Sequence, residues 1–128
     1  MADESTGSPL LIVDAANVVG SRPDGWWRDR RGATERLRDD LADLAFGGLD
    51  DVPPPMSVVL VVEGAARGIE SLPTVAVVSA DGSGDDRIVQ VVAEHAERPR
   101  VVVTADRELR RRVLEHGARV LGPRSLRR

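Results

Sequence analysis

The chain has 128 residues, 41% of them hydrophobic, and a net charge of -3 from 21 acidic and 18 basic side chains. That length suits one domain, and the mild acidity argues against a tight, wholesale coat of nucleic acid. With no cysteine, disulfides, thiolate zinc sites and cysteine nucleophiles are excluded. No apolar run reaches membrane-spanning length, and residues 1–9 lack the basic start and apolar block of a signal peptide, so a cytoplasmic location is expected. Tyr is absent and there are one Phe and two Trp, so the core must be aliphatic.

Residues 1–9 read as a loose polar tail. Residues 10–14 (LLIVD) read as a buried strand, apolar at every position until Asp14. Turn formers and charge over 20–31 predict a loop. Helical spacing over 33–46 puts Leu37, Leu41, Leu44 and Ala45 on one face, and Gly47-Gly48 ends that helix. After a stiff Pro53-Pro54-Pro55 connection, 57–62 (SVVLVV) is a second strand ending at Glu63-Gly64. The 64–73 segment is too short for a full helix. A third strand covers 74–78, and a helix over 85–96 turns Ile88, Val89, Val92 and Ala96 inward. Pro99 precedes a fourth strand at 100–103. The next helix starts around Asp106 with Leu109, Val113 and Leu114 as its stripe, and Gly117 caps it. A short strand at 118–121 and a last helical turn at 123–126 complete the chain. Continuous valine-rich strands alternating with helices predict an α/β three-layer sandwich with a mostly parallel central sheet, one domain over 10–128.

Four of the strands end beside an acid: Asp14, Glu63, Asp81 with Asp85-Asp86 beyond it, and Asp106. In an open parallel sheet all these ends lie on one edge, where sites form. Carboxylates gathered there repel one another unless a cation sits among them, and all-oxygen ligands suit magnesium or manganese. Such an ion can hold a water and a phosphate oxygen while a phosphodiester is cut. Asp14 is then a ligand, and Asn17 orients it or meets substrate, because an amide offers both donors and an acceptor without charge. Each acid also has a plain structural use. Asp14 can serve a turn, Asp85 and Asp106 can cap helices, and Asp81 fits turn chemistry in its Gly/Ser loop.

The pieces "LIVDAANVVG" at 11–20, "VVLVVEG" at 58–64, "GSGDDRIVQVV" at 82–92, "VVVTADREL" at 101–109 and "GARVLGPRSL" at 117–126 resemble, in order and spacing, the NYN domains of the PIN-like ribonuclease group. The YacP-like branch is the most similar. The resemblance implies a metal-dependent ribonuclease on a compact parallel sheet. It implies Asp14, Asp85 and Asp106 as the carboxylates, with Asp86 nearby. Asn17 falls on the family's polar position after the first acid, and Thr104 on its hydroxyl position before the last. The family commonly has Asp where this chain has Glu63, and "SADGSGDD" lacks the basic residue often seen in relatives. The implied cofactor is Mg2+ or Mn2+, and the implied partner is RNA, single-stranded.

Arginines supply a rim for that partner. Arg22, Arg28, Arg30 and Arg31 lie in the first loop, and Arg107, Arg110, Arg111 and Arg112 lie around the Asp106 helix. Arginine grips phosphate through two parallel hydrogen bonds, although helix arginines commonly form a solvated face. One of Trp26-Trp27 can stack on a base, or both can pack over the helix or in a subunit contact. His95 and His116 fall in helical segments and read as surface or packing residues. Gly82-Ser83-Gly84 is too short for a dinucleotide fingerprint, and no GxxxxGK[ST] loop exists. An aspartyl nucleophile needs a second Asp in the first loop and a lysine, and the chain has no lysine. Three alternatives stay open: a catalytically inactive RNA- or protein-binding module on the same fold, a nuclease neutralised by a protein partner over the acidic cleft, and a homodimer joined through exposed Leu or Val at 49–57.

Overall fold

Five strands form one sheet: β1 (Leu10–Asp14), β2 (Ser57–Val62), β3 (Val75–Ser79), β4 (Arg100–Val103) and β5 (Arg119–Leu121). Their order is β3-β2-β1-β4-β5, and every pairing is parallel. The helices are α1 (Ala15–Gly20), α2 (Arg30–Asp40), α3 (Leu44–Gly47), α4 (Gly84–Glu94) and α5 (Arg107–Glu115). Single 3-10 turns lie at Trp26–Arg28, Gly64–Ala66 and Pro123–Leu126. The computed structural model describes residues 7–126 apart from Asp51. Most of the tail read over 1–9 therefore lies outside the described residues.

Strand side chains alternate faces, and the alternation divides the core in two. Leu11, Val13, Leu60 and Val103 pack against α1, α2 and α3 through Val18, Leu37 and Leu44. Leu10, Ile12, Val61 and Val102 pack against α4 and α5 through Ile88, Val92, Leu109 and Val113. Helices on both faces explain why the strands read as unbroken apolar runs. This is the α/β sandwich the sequence predicts.

Several local expectations are corrected. Residues 20–31 are not all loop: α1 reaches Gly20, a 3-10 turn spans 26–28, and α2 starts at Arg30. The Asp29 carboxylate caps α2, accepting from the Gly32 N–H at 2.9 Å. A Cβ on Gly32 would stand 2.3 Å from that carboxylate, so the glycine admits the cap. The helix read over 33–46 stops at Asp40, and Leu44–Gly47 is a separate turn of helix. The third strand and the following helix are offset by one or two residues at their ends. Ala96 lies beyond the end of α4 and is exposed. Leu114 is 56% exposed, because it sits about 100° round the helix axis from Val113. Residues 8 and 9 are not loose: Arg98 holds both of their carbonyls. Leu49, Val52 and Met56 are buried, which removes the apolar surface expected to join a homodimer. Phe46, 77% exposed, is the large hydrophobe at the surface there. Among the described residues, no helix is long and apolar enough to cross a membrane.

Candidate functional site

The chain winds from β1 through β2 to β3 on one side of the sheet, then returns to lay β4 and β5 on the other. Strand order therefore reverses between β1 and β4, and a crevice opens at their carboxyl ends. Strand parity decides what points into it. Leu10 and Ile12 face α4 and α5, so Asp14 leaves β1 on that face. Val61 shares that face, so Glu63, two residues on, does too. Val102 gives Thr104 the same direction. The two helices on this face then begin at the crevice, one with Asp85 in its first turn and the other capped by Asp106.

Asp14, Asn17, Glu63, Ser83, Asp85 and Asp106 line an open cleft of about 360 Å³. Thr104, fully buried, bridges two of the acids. Its hydroxyl donates to Asp14 Oδ2 at 2.8 Å, and its oxygen accepts from the Asp106 N–H at 3.1 Å. Asn17 Oδ1 accepts from the Ala105 N–H at 2.8 Å, which ties α1 to the loop after β4. The Asn17 N–H in turn reaches Asp14 at 3.4 Å. Asp106 accepts from the Leu109 N–H at 2.9 Å, so the cap and the site member are the same residue. Glu63 Oε2 accepts from the Gly84 N–H at 2.6 Å. A Cβ at position 84 would stand 3.1 Å from that oxygen, so the glycine lets the longer acid reach the start of α4.

The electrostatics follow from this crowding. Burial pushes the Asp14 carboxyl up to about 6. The Thr104 hydroxyl and Asn17 N–H pull it back, while Asp85 and Glu63 add to the rise. Asp85 is also raised, first by partial burial and then by Asp106 and Glu63, with Arg112 opposing. Two acids held reluctantly ionised, in a cleft lined by no cation among the described residues, form an environment suited to a divalent cation. The donors are all oxygen, which fits magnesium or manganese. As placed, no three acidic or histidine side chains among the described residues form a ready cage, so holding an ion requires carboxylates to turn inward.

Other candidates stand elsewhere. Asp86 does not line the cleft and pairs with Arg112 at 3.0 Å. Arg22 pairs with Asp40 at 3.1 Å, beside a larger hollow of about 680 Å³ that shares no residue with the cleft. Arg31 donates to the Arg67 carbonyl at 2.8 Å. Arg28 lies over Trp27, 5.9 Å from its ring centroid. Arg107 is exposed and follows Asp106 directly, the nearest in sequence of the expected substrate contacts. Arg111 is taken up by Glu108 and Glu115 on its own helix. His95 and His116 stand just past the C-terminal ends of α4 and α5, His95 half-buried and His116 exposed. Sequence reasoning put Arg112 in the arginine rim and weighed Ser83 and Gly84 only as part of a dinucleotide loop, and gave none of them a place beside the acids. The Ser83 cap has a local signal, a serine three residues before an acid. The Gly84 contact has none, because its partner is remote in sequence.

No family model matches the chain, and no curated protein sequence matches it. The fold is shared with the crystal structure of Rae1 (YacP) from Bacillus subtilis. The TM-score is 0.74 at 19% identity, over 92% of this chain and 72% of that one. The chain thus has a YacP-like fold.

Proposed function

We propose that the chain is a divalent-metal-dependent ribonuclease that hydrolyses RNA phosphodiester bonds. The observation that carries this is the convergence of Asp14, Glu63, Asp85 and Asp106 on one cleft at the reversal of strand order. The YacP-like fold and the five sequence pieces support the same reading. Asp14, Asp85 and Asp106 would hold Mg2+ or Mn2+, with Glu63 beside them. The bound ion would supply Lewis acidity toward phosphate and acidify water. The residues' own work is positional. Thr104 fixes the direction of Asp14 by donating to it, and by accepting from the Asp106 N–H it ties the second acid to the first. Asn17 spends its carbonyl on the Ala105 N–H, leaving its amide protons for substrate or a carboxylate. Arg107 offers the cation nearest in sequence to the cleft acids for a phosphate.

A second reading, a non-catalytic RNA- or protein-binding module, is favoured by two observations. The Glu63 carboxylate is engaged by the Gly84 N–H, and among the described residues no three acids form a cage as placed. Metal-stripped protein given labelled single-stranded RNA with and without Mn2+ separates the two. Cleavage that needs the metal and disappears in Asp14→Asn and Asp106→Asn supports the enzyme. Binding without metal-dependent cleavage supports the module.

A further inference from the structure

A second cavity, of about 460 Å³, adjoins the acidic cleft and shares Ala16 and Glu63 with it. That volume falls within the roughly 300–1,000 Å³ of small-ligand pockets. Its walls differ sharply from the cleft. Ala15, Val19 and Ala66 are apolar, and Trp26 forms one side. Trp26 is pinned on one side by the core and half-buried. The Trp27 ring meets it edge-on, with centroids 6.0 Å apart at 86°. The Arg30 guanidinium lies over the Trp26 ring, 5.2 Å from its centroid, and is the one cation among the described residues lining the cavity. Thr34 also lines it, and donates its hydroxyl to the Arg30 carbonyl at 2.8 Å. Toward an incoming group Thr34 therefore offers an acceptor, while Arg30 offers donors.

We propose that this cavity seats one unpaired nucleobase of a single-stranded RNA whose phosphodiester lies in the acidic cleft. An apolar wall, an indole and a planar cation are the groups that hold a base by stacking and cation–π contact. A duplex keeps its bases stacked inward, so only an unpaired base can enter. The shared residues Ala16 and Glu63 place the base and the phosphate of one strand side by side. This inference rests on the ribonuclease reading for what occupies the neighbouring cleft, and it deepens that reading by requiring an unpaired base beside the cut.

The test uses full-length Asp14→Asn protein and a fluorescent RNA pentanucleotide, with binding read by anisotropy. The base is removed at each position in turn. Loss of one base is expected to weaken binding roughly tenfold, the effect of a single stacked base, with the others near neutral. Ala65→Phe, at an exposed residue lining the cavity, is expected to erase the difference between intact and abasic strands. Arg30→Gln, also at an exposed residue, is expected to weaken the intact strand and leave the critical abasic one nearly unchanged. Equal binding of all the abasic strands, no binding of any strand, or full discrimination in folded Ala65→Phe would each overturn the pocket. So would competition by adenosine 5′-monophosphate at the pentanucleotide's own concentration, which would assign the cavity to a free nucleotide. The two readings fail separately. Wild-type protein that cuts RNA with no base position mattering keeps the ribonuclease and sinks the pocket. Base discrimination in a protein that cuts nothing does the reverse.

Discussion

At the amino end of the sheet, Arg98 donates to the carbonyls of Ser8 and Pro9 and to the hydroxyl of Ser57. Beside it, Arg100 donates to the carbonyls of Val92 and Arg98. At the carboxyl end, Asp14, Glu63, Asp85 and Asp106 share a cleft lined by no cation among the described residues. One end spends its charge on neutral carbonyls and hydroxyls and stitches the chain together. The other gathers like charges and raises two of their proton affinities. The difference teaches where stability and chemistry reside. Among the described residues, buried side-chain polar groups at both ends are satisfied by the fold itself, but at the carboxyl end the gathered carboxylates also repel one another.

The largest effect that can break this comparison is on cleavage. Asp14→Asn and Asp106→Asn, which keep side-chain size and a capping oxygen, are expected to lower single-turnover RNA cleavage by about 1,000-fold or more, the scale of several kcal/mol that a catalytic ion supplies. Cleavage surviving in both variants would remove the chemistry from the carboxyl end.

The next effect concerns pH and is read without metal. Asp14 binds its proton more tightly in the fold than in the unfolded chain, so ionising it weakens the fold. The move from 3.8 to about 6 corresponds to about 2–3 kcal/mol. That loss is absent below about pH 4, grows as pH rises toward about 6, and is complete above it. In EDTA, Asp14→Asn is therefore expected to resist urea better than wild type at pH 7.5 and to match it near pH 3.5. Saturating Mn2+ should narrow or reverse the gap, because only wild type gains the ion's binding energy.

The amino end should answer in the opposite way. Arg100→Met takes the guanidinium donor from the buried Val92 carbonyl, which keeps only the His95 N–H at 3.4 Å, and from the half-buried Arg98 carbonyl, and is expected to cost about 2 kcal/mol in urea unfolding at any of these pH values. Its cleavage rate, measured where the variant remains folded, should match wild type. The smallest effect is expected at Glu63→Gln, which keeps an oxygen for the Gly84 N–H. A fall in cleavage of less than about tenfold, or about 1.4 kcal/mol, fits a residue already engaged by backbone. A loss as deep as that of Asp14→Asn would show that Glu63 leaves Gly84 to work with the other acids.

The parallel sheet was legible because burial on both faces leaves a plain trace, unbroken runs such as LLIV and VVLVV. The gathering of Asp14, Glu63, Asp85 and Asp106 was legible for the same reason, since parallel strands all end on one edge. Pairings within the site were not. Glu63 finds the Gly84 N–H and Asn17 finds the Ala105 N–H across long stretches of chain, and nothing local in either sequence marks the partner. Asp86 was expected close to the site because it follows Asp85, yet one step along a helix turns a side chain about 100°, enough to carry it to Arg112. Arg22 likewise sits in a basic stretch by sequence but is paired off by Asp40. Trp26 and Trp27 divide as adjacent bulky residues must, one against the core and one 60% exposed.

The position of β1 at the centre of the sheet also has a consequence for how the protein is made on the ribosome. Leu10 pairs with Ser57 on one side and Arg100 on the other, so β1 is made well before its second neighbour. A nascent chain halted before residue 100 leaves uncovered one edge of β1, a strand buried along its whole length in the finished fold, and such an edge invites pairing with another chain. The same chain carries Asp14, Glu63 and Asp85 but lacks Thr104 and Asp106, so the site is finished only once the segment after β4 has been made.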